Sequence, residues 1–213
     1  MVPFDLVIFD CDGVLVDSER LVVPTAAAIL AELGWPLSES EIVARFIGGT
    51  TAQMHREVEA HLGRSFDWDE VFEARYREVF DSELTAIPGI HDALSTIETA
   101  TCVASSGSHG AIRQKLATTG LLSYFEGRIF SAADVARGKP APDIFLHAAR
   151  AMGAEPQRCA VVEDSVLGAR AGVAANMKVF GFSGSVTDPE KLASAGATAF
   201  SRMDELHGLL FEH

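Results

Sequence analysis

The chain has 213 residues, of which 48% are hydrophobic and 22% charged, so it can bury a sizeable core and is unlike a disordered protein. Its formal net charge of −13 argues against a nucleic-acid or anionic-membrane binder, since such proteins need clustered Lys and Arg. No apolar run approaches the roughly 20 residues of a membrane span, and residues 1–5 lack the basic start of a signal peptide. We therefore expect a soluble cytoplasmic protein.

The first predicted element is a strand over residues 6–9, whose sequence LVIF is typical of a strand buried on both faces. Asp10 and Asp12 follow it directly. Two carboxylates about 4 Å apart repel each other by about 4 kcal/mol at an effective dielectric constant of about 20, so this pair needs a nearby cation. Cys11 lies between them, and their negative charge opposes formation of a reactive thiolate.

Residues 16–85 contain almost no strand signal and several helical ones. Ser38 and Glu41 have the spacing of a capping box, which predicts a helix start. Amphipathic patterns predict further helices over residues 20–33, 51–62 and 68–84.

Within this helical region, the segment FIGGTTAQ (residues 46–53) places Gly49 and Thr50 just before a predicted helix. The free N–H groups of a helix N-terminus suit a hydroxylated or anionic group, so both residues are candidate substrate contacts. A tight turn between helices is the alternative interpretation of this segment.

From about residue 100 onward, short apolar runs alternate with helix-like segments. Strands are predicted over residues 101–105, 128–131, 159–162 and 178–182. The alternation predicts an α/β fold with a Rossmann-like parallel sheet. We expect residues 1–15 and 86–213 to form this core, and residues 16–85 to form an inserted α-helical cap domain.

The polar residues that carry chemistry each follow a predicted strand. They are Asp10, Asp12, Ser105, Ser106, Lys139, Glu163 and Asp164. Because ligands of open parallel sheets bind outside the carboxyl ends of the strands, these side chains should converge. An all-oxygen carboxylate cluster suits Mg²⁺, which commonly joins one or two carboxylates to a phosphate oxygen. The sequence therefore predicts a magnesium site for a phosphoryl group, with Asp10, Asp12, Glu163 and Asp164 as candidate ligands.

These residue types also indicate roles. With its charge neutralised by Mg²⁺ and Lys139, Asp10 can act as an anionic nucleophile toward phosphorus. Asp12 can protonate the leaving alcohol and later take a proton from water. The Ser105 hydroxyl would orient the phosphoryl oxygens, and Gly13 would let the backbone approach them. Nearby backbone groups of Cys11, Ser106 and Gly107 would assist.

Four motifs, in this order, resemble those of the haloacid dehalogenase superfamily. They are DCDGVL from Asp10, Ser105, KPAPDIF from Lys139, and EDSVLGARAG from Glu163. The resemblance implies the fold of that superfamily, Asp10 as nucleophile and Asp12 as acid and base. It also implies Mg²⁺ bound by Asp10, the Asp12 backbone carbonyl and Asp164, with Glu163 adjacent or coordinating. Dehalogenases of this superfamily generally lack the second aspartate, so Asp12 favours phosphate chemistry.

The helical insert looks like the cap of the subfamily that contains phosphoglycolate phosphatases, β-phosphoglucomutases and sugar-phosphate phosphatases. The segment FDSELTAI (residues 80–87) is similar to that of bacterial 6-phosphogluconate phosphatases. The resemblance therefore implies a Mg²⁺-dependent phosphatase for a small phosphomonoester such as a sugar or sugar-acid phosphate, acting as a monomer or weak dimer. No nucleic acid or membrane is expected as a partner.

A hexose-phosphate mutase of the β-phosphoglucomutase type is the alternative, and a non-catalytic binding protein is a third possibility that the complete motifs disfavour. Such mutases grip the non-reacting phosphate with cap residues that can carry positive charge. This sequence has Thr51 and Val22 at the matching positions, and neither can supply that charge. The sequence therefore favours the hydrolase.

Overall fold

The computed structural model describes residues 4–47, 51–184 and 186–211. Within these ranges, six parallel strands form one sheet in the order β3-β2-β1-β4-β5-β6. The strands are β1 (Leu6–Phe9), β2 (Ala100–Ser105), β3 (Ile129–Ser131), β4 (Cys159–Glu163), β5 (Lys178–Phe182) and β6 (Thr198–Phe200). The expected α/β fold with a Rossmann-like parallel sheet is confirmed.

The central strand β1 explains why the sheet has this order. All four of its residues are fully buried, because a strand pairs with it on each side and the helical segments Leu122–Phe125 and Asp143–Ala151 pack against it. Phe9 is in register with Val103 of β2 and with Val162 of β4. The strand order reverses between β1 and β4, which is the point where sheets of this kind bind ligands.

Helices connect and cover the strands. The α-helices of the described residues are α1 (Glu19–Glu32), α2 (Glu39–Phe46), α3 (Thr51–Leu62), α4 (Ala74–Glu83), α5 (Ile90–Thr96), α6 (His109–Thr118), α7 (Leu122–Phe125), α8 (Asp143–Ala151), α9 (Val166–Ala174), α10 (Pro189–Ser194) and α11 (Leu206–Phe211). The predicted capping box of Ser38 and Glu41 is present at the start of α2. Ser108 and Asp188 likewise cap α6 and α10 with their side chains.

Two local features differ from the sequence pattern. The pattern does not predict β6, because three residues at the edge of a sheet are too few to form a recognisable apolar run. The predicted helix over residues 68–84 instead begins with a π-helical turn, Asp69–Glu73, that leads into α4. Aromatic packing accompanies this wider turn, since the Trp68 and Phe72 rings stack with centroids 4.8 Å apart.

The chain divides into two compact units. Residues Ser18–Leu84, hereafter the helical unit, form one, and the segments Met1–Asp17 and Thr85–His213 form the other, hereafter the sheet unit. Within the sheet unit the two junction segments pair with each other: the Asp17 N–H donates to the Thr85 carbonyl at 2.9 Å. Among the described residues, no helix is long and apolar enough to cross a bilayer.

Candidate active site

Three carboxylates meet at the carboxyl edge of the sheet, at the point where its strand order reverses. Asp10 follows β1, Glu163 ends β4, and Asp164 comes next. The Asp10 N–H donates to the Val162 carbonyl at 2.9 Å, so the pairing of β1 with β4 extends to this residue. All three carboxylates are buried, and Glu163 is fully so. Burying charge in this way is costly unless positive charge lies nearby.

Lys139 supplies part of that positive charge. Its Nζ lies 2.6 Å from Asp10 Oδ1 and 2.6 Å from Glu163 Oε1, and it also donates to the Ala104 carbonyl at 3.3 Å. Burial alone would lower the pKa of this ammonium, but the two adjacent carboxylates outweigh burial and raise that pKa above its usual value. Lys139 therefore stays protonated and bridges two of the acidic motifs.

The Asp10 carboxyl group has an unusual electrostatic environment. Burial raises its pKa to about 7, against the opposing effect of Lys139 and with a further contribution from Glu163. One lysine thus does not fully compensate the buried negative charge. A second positive charge at this edge would favour the ionised form of Asp10.

A divalent metal ion fits this requirement. Asp10, Glu163 and Asp164 each offer an oxygen within 4.8 Å of the others, a donor set that suits a hard cation. Glu163 is the least suited of the three, because its Oε1 accepts from Lys139 and its Oε2 accepts from the Ser165 N–H and hydroxyl at 2.8 and 2.9 Å. Asp10 and Asp164 are therefore the better candidates for direct ligands.

Asp12 contacts a different cation. Its Oδ1 lies 2.5 Å from Nζ of Lys115, a residue of α6 that the sequence motifs do not single out. The sequence motifs could not have identified this lysine, because its distance from Asp12 in space depends on how α6 packs in the folded chain. The two aspartates of the first motif therefore interact with different lysines.

A tight turn follows the first strand. The Cys11 carbonyl accepts from the Leu15 and Val16 N–H groups at 2.9 and 3.1 Å, and the Gly13 N–H donates to the Val16 carbonyl at 2.9 Å. Gly13 has φ of 70°, which a residue with a side chain rarely adopts. The glycine is therefore required by the turn itself, beside any approach to a phosphoryl group.

The segment after β2 holds the second motif. Ser105 is buried at the strand end and its Oγ accepts from the Gly107 N–H at 3.2 Å, whereas Ser106 is exposed. The Ser131 hydroxyl donates to the Gly107 carbonyl at 2.6 Å. Ser131 ends β3, which pairs with β2, and it is a supporting residue that the sequence motifs do not indicate.

Asp134 extends this support. It accepts from the Ser131 N–H at 2.9 Å and lies 2.8 Å from Nε2 of His109, the first residue of α6. The hydrogen bond with His109 holds the pKa of the Asp134 carboxyl below its usual range. The start of α6 is thus tied to the segment that follows β3.

A glycine makes room for Glu163. A Cβ added to Gly168, near the start of α9, would lie 1.7 Å from Glu163 Oε1. The Gly168 N–H donates to the Ser165 hydroxyl at 3.0 Å, and that hydroxyl donates to Glu163. The glycine of the fourth motif is therefore needed for the carboxylate that holds Lys139.

The helical unit contains the remaining sequence predictions. Gly49 and Thr50 lie outside the described residues, so their role stays a prediction. Val22 lines a cavity of about 180 Å³ inside this unit. Most of the other lining side chains are apolar or aromatic, including Phe46 and Trp68, and His55 and Glu73 also line it.

The three cysteines lie among the described residues, are buried, and form no disulfide bond. Burial raises the pKa of the Cys102 and Cys159 thiols, the latter to about 11. Burial therefore disfavours the reactive thiolate form of both residues.

Comparison with known proteins identifies the family. A model of haloacid dehalogenase-like hydrolases matches residues 4–176. The chain belongs to the haloacid dehalogenase-like hydrolases. Within this family it is a phosphatase.

Individual members of the family agree over nearly the whole chain. A 6-phosphogluconate phosphatase of Escherichia coli (strain K12) is 34% identical, over 97% of this chain and 94% of that protein. A phosphorylated carbohydrates phosphatase of Thermotoga maritima is 29% identical, over 98% of this chain and 99% of that protein. The solved structure of a conserved haloacid dehalogenase-like protein from Agrobacterium tumefaciens aligns with a TM-score of 0.88 and 38% identity, over 97% of each chain.

Proposed function

We propose that this family member is a Mg²⁺-dependent phosphatase that hydrolyses a small phosphorylated sugar or sugar acid through an aspartyl-phosphate on Asp10. One observation carries the proposal: Lys139 lies 2.6 Å from both Asp10 and Glu163, inside a buried carboxylate cluster at the carboxyl edge of the sheet. Such a cluster has no structural benefit by itself, but it can hold a cation and a phosphoryl group together.

Binding of the phosphoryl group uses the sheet unit. The Ser105 hydroxyl and the backbone groups of Cys11, Ser106 and Gly107 orient its oxygens, and Lys139 offsets its charge. The contacts from Ser131 to the Gly107 carbonyl keep the second motif in a fixed position for this purpose.

In the first half-reaction, a carboxylate oxygen of Asp10 attacks phosphorus and forms a new P–O bond. The bond from phosphorus to the alcohol oxygen breaks, and that oxygen receives a proton from the Asp12 carboxyl group. The products of this step are the free alcohol and an aspartyl-phosphate on Asp10.

In the second half-reaction, water attacks the phosphorus and the bond to Asp10 breaks. Asp12, now ionised, takes a proton from that water. Inorganic phosphate leaves, Asp10 is again a carboxylate, and Asp12 is protonated for the next turnover.

Asp10 and Asp164 would hold the Mg²⁺ ion, with the Asp12 backbone carbonyl as the further ligand that the family resemblance implies. When bound, the ion supplies the positive charge that lets an anionic nucleophile approach an anionic phosphate. Glu163 holds Lys139 in place, because its Oε1 accepts a hydrogen bond from the Lys139 ammonium. Its Oε2 already accepts from the Ser165 N–H and hydroxyl.

The substrate class rests on the relatives named above, of which one acts on 6-phosphogluconate and another on phosphorylated carbohydrates. We therefore propose 6-phosphogluconate as the first candidate substrate. A mutase reaction is less well supported, because Val22 is aliphatic and cannot carry the positive charge that would hold a second phosphate.

The test is a phosphate-release screen with purified enzyme over sugar phosphates, sugar-acid phosphates, phosphoglycolate and nucleotides. We expect release from sugar-type phosphomonoesters in the presence of Mg²⁺, and a labelled phosphoryl group on Asp10 after acid quenching. No release from any ester would contradict the phosphatase proposal. Interconversion of glucose 1-phosphate and glucose 6-phosphate faster than phosphate release would favour the mutase instead.

A further inference from the structure

We propose that Lys115 is a positioning residue for the reaction, which fixes the orientation of the Asp12 carboxyl group toward the leaving-group oxygen. This inference rests on the proposed function, since it concerns Asp12 as proton donor. The observation behind it is the 2.5 Å contact between Lys115 Nζ and Asp12 Oδ1.

The backbone on the Asp12 side of this contact is fixed. Asp12 lies in a tight turn, which the Leu15 and Val16 N–H groups close by donating to the Cys11 carbonyl. Asp12 also forms a β-bridge with Val16. The main freedom left to its side chain is rotation about its own bonds. Asp12 is also the more exposed partner, with 31% of its side chain accessible against 15% for Lys115.

The Lys115 side of the contact is fixed as well. Lys115 lies in the last turn of α6, next to the fully buried Leu116. The helix is held at its start by the Ser108 cap and by the contact of His109 with Asp134. A long side chain whose stem is buried and whose helix is anchored presents its ammonium at one place.

The charge arrangement separates this lysine from Lys139. Lys139 lies within 2.6 Å of Asp10 and Glu163, whereas Lys115 lies at Asp12. The two aspartates, which have different proposed roles, therefore contact different lysines. Lys139 compensates the buried nucleophile, and Lys115 orients the group that exchanges protons.

The consequence concerns the leaving group. Without Lys115, the Asp12 carboxyl group would lose one of the contacts that orient it, and a smaller fraction of bound complexes would have it aligned for proton transfer. A sugar alkoxide is strongly basic and cannot depart without that proton. A p-nitrophenolate is weakly basic and departs without it. Loss of Lys115 should therefore slow alkyl esters far more than aryl esters.

The experiment compares kcat/KM for two substrates, because kcat/KM reports the steps up to formation of the aspartyl-phosphate. The substrates are p-nitrophenyl phosphate and the sugar phosphate that the wild-type enzyme hydrolyses fastest. For Lys115→Met we expect a loss of at least about tenfold with the sugar phosphate and less than about threefold with the aryl ester. Lys115→Arg, which keeps the charge, should restore part of the loss.

Arg113→Met is the matched control, since Arg113 lies on the same helix and pairs at 3.7 Å with the exposed Glu126. It should leave both substrates unchanged. A double variant gives the second readout: adding Lys115→Met to Asp12→Asn should cause little further loss with the sugar phosphate.

Three results would overturn the inference: equal losses with both substrates, no loss with the sugar phosphate, or an undiminished effect of Lys115→Met in the Asp12→Asn background. If Lys115→Met does not fold, as judged by circular dichroism, kcat/KM for the two substrates is measured with Lys115→Arg instead. Equal changes in kcat/KM for both esters, relative to wild type, would then contradict the inference. A wild-type enzyme that hydrolyses neither ester contradicts the proposed function instead.

Discussion

The ion pairs described in the helical unit are exposed, whereas the sheet unit has buried ion pairs in addition to exposed ones. In the sheet unit, Lys139 and Asp10 form an ion pair with only 7% and 10% of their side chains accessible. In the helical unit, Arg45 and Glu57 also form a short pair, at 2.9 Å, but 45% and 36% of those side chains are accessible. Water already solvates the second pair, so its contribution to stability is small. The first pair has lost its water, so each charge depends on its partner.

This comparison indicates where function resides. A buried charge cluster lowers stability unless every member is paired, so a fold retains one where chemistry requires it. The exposed pairs of the helical unit carry no such requirement. Substitutions in the two units should therefore differ sharply in effect.

Replacement of Asp10, the proposed nucleophile, tests the buried side of the comparison. Asp10→Asn should fold, because the amide keeps the shape of the carboxyl group. Turnover should fall at least about a thousandfold, because an amide cannot form the aspartyl-phosphate. Steady-state phosphate release measures the loss, with circular dichroism as the folding control. Activity near that of wild type would exclude Asp10 as nucleophile.

Metal removal tests the same carboxylate cluster without mutation. EDTA should abolish phosphate release and Mg²⁺ should restore it, whereas Ca²⁺ should support little turnover because its coordination is larger and looser. The assay is a titration of each ion into chelated enzyme. Full activity after thorough chelation would rule out a metal-dependent site.

Removal of the bridging lysine should affect stability as well as activity. Lys139→Met would leave Asp10 and Glu163 facing each other without their shared cation. We expect the free energy of unfolding to fall by about 3–5 kcal/mol. Urea denaturation measures it, and a decrease of less than about 1 kcal/mol would show that the pair is not needed for stability.

Much of this site could be predicted from the sequence, because three of the motifs lie at the end of an apolar strand and the Lys139 motif lies in the loop after one. Asp10 follows β1 and Glu163 ends β4, and parallel pairing brings such positions to the same edge. The lysine that meets Asp12 could not be predicted, because a side chain on a helix surface has no signature that names its partner. The bonding of both Glu163 oxygens likewise depends on atomic positions, not on residue type.

The secondary-structure elements likewise divide into those that the sequence predicts and those that it does not. Strands buried on both faces leave continuous apolar runs, so β1 and β5 are predicted with the bounds that the structure has. Strand β6 has three residues, two of them half-buried, and so leaves no comparable run. The π-helical turn before α4 keeps the composition of a helix, and no residue type marks it.

Two glycine substitutions sharpen the comparison on a smaller scale. Gly168→Ala would place a methyl group against Glu163, whereas Gly110 in α6 has nothing within 4 Å of its Cβ position. We expect Gly168→Ala to lower the free energy of unfolding by at least about 2 kcal/mol and to reduce turnover. Gly110→Ala should be neutral or stabilising, within about 1 kcal/mol. Similar stabilities for the two variants would contradict the close packing at Glu163.

The smallest effect is expected in the helical unit. Arg45→Met removes the exposed pair with Glu57, and it should change the melting temperature by less than about 3 °C. Differential scanning fluorimetry is sufficient to detect the change. A loss comparable to that of Lys139→Met would remove the distinction between buried and exposed pairs.

The central position of β1 also has a consequence for how the chain reaches its native state. Leu6 pairs with Ala100 on one side and with Cys159 on the other, so β1 is synthesised before both of its partner strands and cannot pair until they follow. Forming such non-local contacts requires closing long loops, which slows folding. Until β4 has been made, an apolar strand has one edge without its partner, and an exposed strand edge of this kind promotes aggregation. Productive folding therefore depends on the segment around residue 160, which is synthesised long after the first motif at residues 10–15.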